Sequence, residues 1–238
     1  MRSVVDSLKQ TVSDACRILA AHGVVEGILG HVSVRVDDSH LLVRTRGPRE
    51  RGLRQTEVAD IRLVDLDGEG DELGEWRVPN ELPIHTEVLR ARPSVGAVVH
   101  AHPPAMLLCG LAGLPLRPVY GAFDIPGMRL AAGGVPVYPR SVLIRRRDLA
   151  QEMLAAMGER PVCLLRGHGV TVTGATVEEA VVRTIALETL ARVTVELHRL
   201  GTKVPDVSNA DLAELPDLGA GFNTDAQWRA LVAEVSGG

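Results

Sequence analysis

The chain has 238 residues, 45% of them hydrophobic but only 3% aromatic, and a formal net charge of −4. That length supports one large domain or two small ones, with a core of Val, Leu, Ala and Ile rather than rings. The mild acidity gives no reason to expect nucleic acid. No apolar run approaches the ~20 residues of a membrane span, and the charged amphipathic start is unlike a signal peptide, so a cytoplasmic setting is expected.

Val12, Ala15, Cys16, Leu19 and Ala20 recur at helical spacing, and His22-Gly23 supplies a stop, which predicts a helix over 6–22. HVSVRV (31–36) and HLLVRT (40–45) flank Asp37-Asp38-Ser39 and read as a hairpin. A strand and turn follow at 61–70, then a helix at 81–93 ended by Pro93. VGAVVHAHPP (95–104) is a short apolar strand stopped by Pro103 and Pro104, with a short helix behind it. A strand at 133–139, a helix ending at Gly158 and a pair of strands around His168 come next. One long helix covers 176–201, with Thr176 and Glu179 in capping-box spacing. Its Val181, Val182, Ile185, Leu187, Leu190, Val193, Val195 and Leu197 exceed what one face needs, so part of it should meet another subunit or the tail. Strands and helices interleave without a linker. Residues 1–238 therefore read as a single α/β domain with a mixed sheet covered by helices, and 201–238 as a less regular tail with a short helix at DAQWRALVAEV.

His100 and His102 point to the same side of an extended chain, at the mouth of a buried strand. Alone the pair could be two unrelated surface histidines. A third, His168, stands between Gly167 and Gly169, which permit a tight backbone and leave room around the ring. Three imidazoles hold a divalent metal and leave a coordination position open. They accept Zn, Mn, Fe or Co without discriminating among them. Cys16, Cys109 and Cys163 lack Cys-x-x-Cys spacing, which excludes a zinc ribbon; they read as small core hydrophobes in a reducing compartment. Glu81 opens the helix at 81–93 with His85 four residues on, on the same face. It is either a catalytic acid/base or a glutamate that suits the helix dipole. His85 reads as a supporting histidine rather than a ligand.

GHVSVR (30–35), PNELPIH (79–85), VVHAHPP (98–104) and LRGHGV (165–170), in that order, resemble the class II aldolase/adducin family over about residues 6–200. The resemblance implies a three-layer α/β/α sandwich and a homotetramer with active sites between subunits. It also implies metal ligands at His100, His102 and His168, and an acid/base at Glu81. Tyr120, in RPVYGAF, falls near a tyrosine acid that the aldolases draw from a neighbouring subunit. The departures concern the anion pocket. Where sugar-phosphate aldolases carry a Gly-Asn turn, a Thr-Gly turn and a Ser-Ser pair, this chain has His31, Arg46-Gly47 and Pro79-Asn80. Arg46, through a bidentate fork, and His31, as an imidazolium, would suit a carboxylate. The alternative is that Arg46, Arg49, Arg51 and Arg54 form an exposed loop with no ligand.

The GHVSVR and ELPIH variants are similar to a branch that decarboxylates hydroxylated aromatic or pyridine dicarboxylates, such as dihydroxyphthalates. The expected activity is thus a metal-dependent, non-oxidative decarboxylation of a small anionic substrate. His31, Arg46, Gly47 and Asn80 are the candidate substrate contacts, and Glu81 and Tyr120 the candidate proton donors. The competing readings are an aldolase or epimerase on a sugar or sugar phosphate, an iron-dependent oxygenase of a hydroxyphenylpyruvate-type acid, and an adducin-like interaction domain. The intact three histidines and glutamate argue against the last.

Overall fold

The structure is a computed structural model that describes residues 2–71 and 73–236. Its strands are β1 (His31–Arg35), β2 (His40–Arg44), β3 (Ile61–Asp65), β4 (Ala97–Ala101), β5 (Val137–Tyr138), β6 (Val162–Leu165) and β7 (Gly169–Gly174). They form one sheet in the order β3-β2-β1-β4-β7-β6-β5. Every neighbouring pair is antiparallel except β5 with β6, so the sheet is mixed.

Alternation along the strands splits the core into two layers. Val32, Val34, Leu42, Ala97, Val99, Val170 and Val172 point to one side. There they meet α1 (Arg2–Ala21), α3 (Pro104–Ala112), α4 (Ile125–Ala131), α6 (Val177–Arg199) and α8 (Gln227–Ser236). Leu41, Val43, Val98, Cys163 and Leu165 point to the other, against α2 (Leu82–Ala91) and α5 (Arg147–Met157). The result is the three-layer α/β/α sandwich expected. Cys16, Cys109 and Cys163 are all buried and unpaired, as small core side chains. No described helix is long and apolar enough to cross a membrane.

Local chemistry explains most boundaries. The β1–β2 turn is closed by Asp37, whose Oδ1 accepts from the backbone N–H of Ser39 at 2.8 Å and of His40 at 2.9 Å. Thr176 caps α6 through the N–H of Glu179, and Glu179 accepts in return from the N–H of Ala175, one residue earlier than a standard capping box. The strand expected over 133–139 contracts to Val137–Tyr138, because Gly133 and Gly134 adopt left-handed backbone (φ 78° and 85°). Two helices escaped the sequence pattern: α4, capped by Asp124 and interrupted in composition by Gly127, and the short α7 (Asn209–Glu214), capped by Ser208. The tail folds back on the sheet's helical layer: Leu231 of α8 is buried, and Trp228, Val232 and Val235 pack on the same core. The apolar surplus of α6 is met largely within the chain, by α1, α3, α4 and α8.

One contact of α6 bears on the site. The metal-type strand β4 runs through His102 and Pro103 directly into α3, and Pro103 supplies no side-chain cap. Glu188, buried on α6, fills that role. Its two carboxylate oxygens accept from the N–H groups of Ala105 and Met106, each at 3.1 Å. Arg192 donates to the same carboxylate at 3.2 Å. We expect Glu188→Ala, which leaves enclosed helix-start donors unpaired, to lose about 1–3 kcal/mol, read as a Tm lower by roughly 2–12 °C. Glu188→Gln, which keeps one acceptor, should lose less in the same thermal melt.

Candidate metal centre

Four side chains converge where β4 ends. One ligand atom each from Glu81, His100, His102 and His168 lies within 4.8 Å of all the others. His100 Nε2 is 2.9 Å from His102 Nε2 and 3.3 Å from Glu81 Oε2, and His168 Nε2 is also 3.3 Å from Glu81 Oε2.

Each element delivers its group for a local reason. His100 occupies the centre of the sheet, fully buried, and its Nδ1–H donates to the Val170 carbonyl of β7 at 3.1 Å, which leaves the Nε2 lone pair facing the cluster. His102 follows two residues later, just past the last residue of β4. His168 sits in the turn between β6 and β7. That turn needs both flanking glycines. Gly167 has φ 65°, and a Cβ on Gly169 would stand 2.2 Å from the Ala101 carbonyl and 3.0 Å from the His102 ring. Glu81 is the N-cap residue of α2, yet its side chain does not cap that helix. Its Oε1 accepts instead from the Ile144 N–H at 2.9 Å, which aims Oε2 at the histidines. The helix-dipole role is thereby displaced by one in the cluster.

Burial sets the protonation states. It pushes the His100 imidazolium below its ordinary range, only partly offset by Glu81. It takes His102 down to about 3, with His100 and His168 adding to the effect. Burial alone would raise the Glu81 carboxyl, but the neighbouring His100 and His168 imidazoles outweigh that and hold it well below the usual carboxylate range. Neutral imidazoles at His100 and His102 and a carboxylate at Glu81 are the donor states a divalent cation requires. Both ring nitrogens of His168 are enclosed without a hydrogen-bond partner among the described residues. Three of the donor separations, 2.9, 3.3 and 3.3 Å, are close to those of ligands around one ion, since bonds of about 2.0–2.1 Å set tetrahedral edges at about 3.4 Å. The residues therefore fit a metal.

The candidate substrate residues are placed less uniformly. His31 lies opposite His100 in the β1–β4 register and its ring stands 5.0 Å from that of His100, centroid to centroid. It cannot be the imidazolium expected, because burial and the adjacent His85 hold it neutral, well below its ordinary range. Arg46 is half-buried, bridged by its backbone to Arg77, and its guanidinium makes one long hydrogen bond, 3.4 Å to the Ile28 carbonyl. Gly47 faces the Trp76 indole, where a Cβ would fall 2.7 Å from Nε1. Asn80 is exposed beside Glu81, and Pro79 before it is buried. Part of the basic loop has internal partners: Arg44 pairs with Glu50, and Arg51 with Glu57 at 2.6 Å.

Tyr120 is not brought to the cluster. Its ring packs edge-on against Phe123, and its hydroxyl is enclosed by its own chain near Gly127 and Asp124. Burial, then Asp124, raises the phenol above its ordinary range. Within the single chain the geometry gives no support to Tyr120 as a proton donor. Three groups were not singled out from the sequence. Ser33 bonds His85, the Ile144 N–H holds Glu81, and the Val170 carbonyl holds His100. Only Ser33 left a trace in the pattern, two residues from His31 on the same strand face; the other two are backbone groups without a side-chain signature.

Comparison with known proteins agrees with this geometry. Residues 10–195 match the family model described as "Class II Aldolase and Adducin N-terminal domain". The chain is 56% identical to a protein from Arthrobacter keyseri named 3,4-dihydroxyphthalate decarboxylase, over 96% of this chain and 94% of that one. It is 47% identical to one of the same name from Rhodococcus jostii (strain RHA1), over 98% and 97%. Among solved structures, an aldolase II superfamily protein from Pseudomonas syringae superposes with a TM-score of 0.82 at 21% identity, covering 97% of this chain and 92% of that one. The motifs, the sheet order and these matches converge: the chain belongs to the class II aldolase/adducin family.

Proposed function

We propose that this chain is a divalent-metal-dependent, non-oxidative decarboxylase of a hydroxylated aromatic dicarboxylate, with 3,4-dihydroxyphthalate the substrate to test first. The observation that carries the reading is an intact Glu81–His100–His102–His168 cluster in a chain 47–56% identical, over nearly its whole length, to proteins named for that reaction.

His100, His102 and His168 would hold the metal. Once bound there, it supplies Lewis acidity to the phenolic and carboxylate oxygens of an ortho-hydroxy acid. The protein's own groups account for the proton. Glu81 is an anion in the resting site, so it is a base before it is an acid. It takes the proton of the substrate's hydroxyl on Oε2 and returns it to the ring carbon that bears the carboxylate; the C–C bonding pair then passes to the ring oxygen as CO₂ departs. Ile144 keeps the other oxygen fixed during both transfers. We assign this proton to Glu81 rather than to Tyr120. The second carboxylate of the substrate falls to the rim, where Arg46, Gly47 and Asn80 replace the hydroxyl and amide groups suited to a phosphate. A guanidinium with one weak internal bond retains donors for a bidentate partner. We further propose a homotetramer with the site between subunits. The support is that Leu108 and Leu111 of α3, just behind His102, are 51% and 57% exposed in the single chain.

Three outcomes check these statements. Protein purified without chelator should carry one divalent ion per chain by elemental analysis, and His102→Ala should lose most of it; full occupancy in the variant would sink the ligand assignment. Wild-type protein should release CO₂ from 3,4-dihydroxyphthalate. Glu81→Gln should bind the same compound with turnover reduced by roughly 10²–10⁴, and undiminished turnover would return Glu81 to a structural role. Light scattering should give four times the chain mass, and a monomer at assay concentration would contradict the interfacial site.

A further inference from the structure

Beside the cluster runs a chain of three buried polar groups that the proton route above does not use. Ser33 Oγ is 2.6 Å from His85 Nδ1, and His85 Nε2 is 2.7 Å from His31 Nδ1. The fold explains the alignment. His31 and Ser33 are two apart on β1 and share the sheet face covered by α2, which carries His85. Ser33 and His85 are fully enclosed, and His31 is 4% exposed.

Each link contains one hydrogen, and a neutral imidazole donates from one nitrogen while accepting at the other. Two arrangements satisfy both links. In the first, the Ser33 hydroxyl donates to His85 Nδ1, His85 Nε2–H donates to His31 Nδ1, and His31 carries its own hydrogen on Nε2. In the second, every donor is reversed and His31 Nε2 is bare. The Ser33 hydroxyl decides between them. Its Oγ has no other hydrogen-bond partner among the described residues. The reversed arrangement would therefore enclose an O–H with no acceptor, whereas the first leaves only lone pairs unused. Orphaned buried donors are the rarer and costlier defect. The chain also ends at Ser33, so it has no reservoir from which to conduct protons. It can set a tautomer but cannot serve as a wire.

We propose that Ser33 and His85 are positioning residues that lock His31 in its Nε2–H tautomer, so that the site offers one uncharged hydrogen-bond donor to a substrate oxygen beside the metal cluster. The identity of that oxygen rests on the decarboxylase reading: it is the phenolic oxygen that gains negative charge as CO₂ leaves. A fixed donor aimed at developing charge acts mainly in the transition state.

The test is ¹⁵N NMR of histidine-labelled protein, both metal-free and zinc-loaded, with the His31 signal assigned by its loss in His31→Gln. Wild type should show a protonated Nε2 and a bare Nδ1. Ser33→Ala should shift His31 toward the Nδ1–H form with metal content unchanged. Its kcat should fall on the order of tenfold, less than the 10²–10³ typical of deleting such a donor, with KM nearly constant. Ser33→Thr, which keeps the hydroxyl, should restore tautomer and kcat together. A His31 Nδ1–H tautomer in wild type overturns the proposal. So does a Ser33→Ala protein whose kcat falls while the tautomer stays put. If the wild-type tautomer is Nε2–H but no CO₂ is released from any hydroxylated phthalate, the lock stands and the substrate reading fails.

Discussion

His100 is fixed by its Nδ1–H, which donates to the Val170 carbonyl at 3.1 Å and turns the bare Nε2 toward the cluster, 3.3 Å from the Glu81 carboxylate. The bond belongs to the sheet, because β4 pairs with β7 so that Ala101 lies opposite Val170. The approach of Glu81 belongs to the turn into α2 and to the Ile144 N–H that steers it. A strand register and a helix start, from segments far apart in sequence, are therefore fixed to one imidazole. Shifting β4 by one residue would carry His100 to the opposite face, among Val99 and Val172, and dissolve the site. The centre of the sheet is the place where such a slip is least tolerated, since both faces of β4 are buried.

The same burial governs the chemistry. A carboxylate and five imidazoles lie close together, and four of them, His31, His85, His100 and His102, are kept neutral because desolvation and nearby imidazoles disfavour a second proton. The anion is held by the Ile144 N–H, with the His100 and His168 imidazoles beside it. Glu188 follows the same rule on the other side of the sheet, where helix-start donors and Arg192 hold a second buried carboxylate. Both glutamates are polar pins. One orients the donors of the cluster, and the other anchors the helix that leaves it.

Much of this was legible in the sequence. The period-2 alternation of β1, the apolar run of β4, the His-x-His pair at its end and the glycines around His168 each state a structural requirement that few residue types meet. The interleaving of the elements implied an α/β domain with a helix-covered mixed sheet, and the family resemblance implied its three layers. What stayed hidden was tertiary. The Nδ1 partner of His100 and the tether on Glu81 are main-chain atoms. The neutrality of His31 depends on a neighbour 54 positions away, His85. An imidazolium at position 31 was reasonable chemistry for a carboxylate, and burial beside two more imidazoles overturned it. Tyr120 failed for a related reason, because proximity along a motif says nothing about which way a ring packs. The helix at α4 was masked by Gly127, which propensity counts against a helix and which the Asp124 cap tolerates.

Within the family the metal-type cluster and the anion pocket are separable. The cluster is built from the centre of the sheet, where register and close packing leave little freedom. The residues proposed for the pocket, Arg46, Gly47, Pro79 and Asn80, lie in connections outside the strands, with Asn80 exposed, Arg46 half-buried, Pro79 buried and Gly47 against the Trp76 indole. His31 stands between the two regimes: it is on a central strand, yet falls where the resemblance to sugar-phosphate aldolases implies an asparagine. Changing it required support from beneath, and Ser33 and His85 lie in the buried layer where that support is needed. The chemistry of carbon–carbon cleavage can thus remain with the rigid sheet, while the choice of anion moves to the loops and to the one strand residue whose hydrogen the core determines.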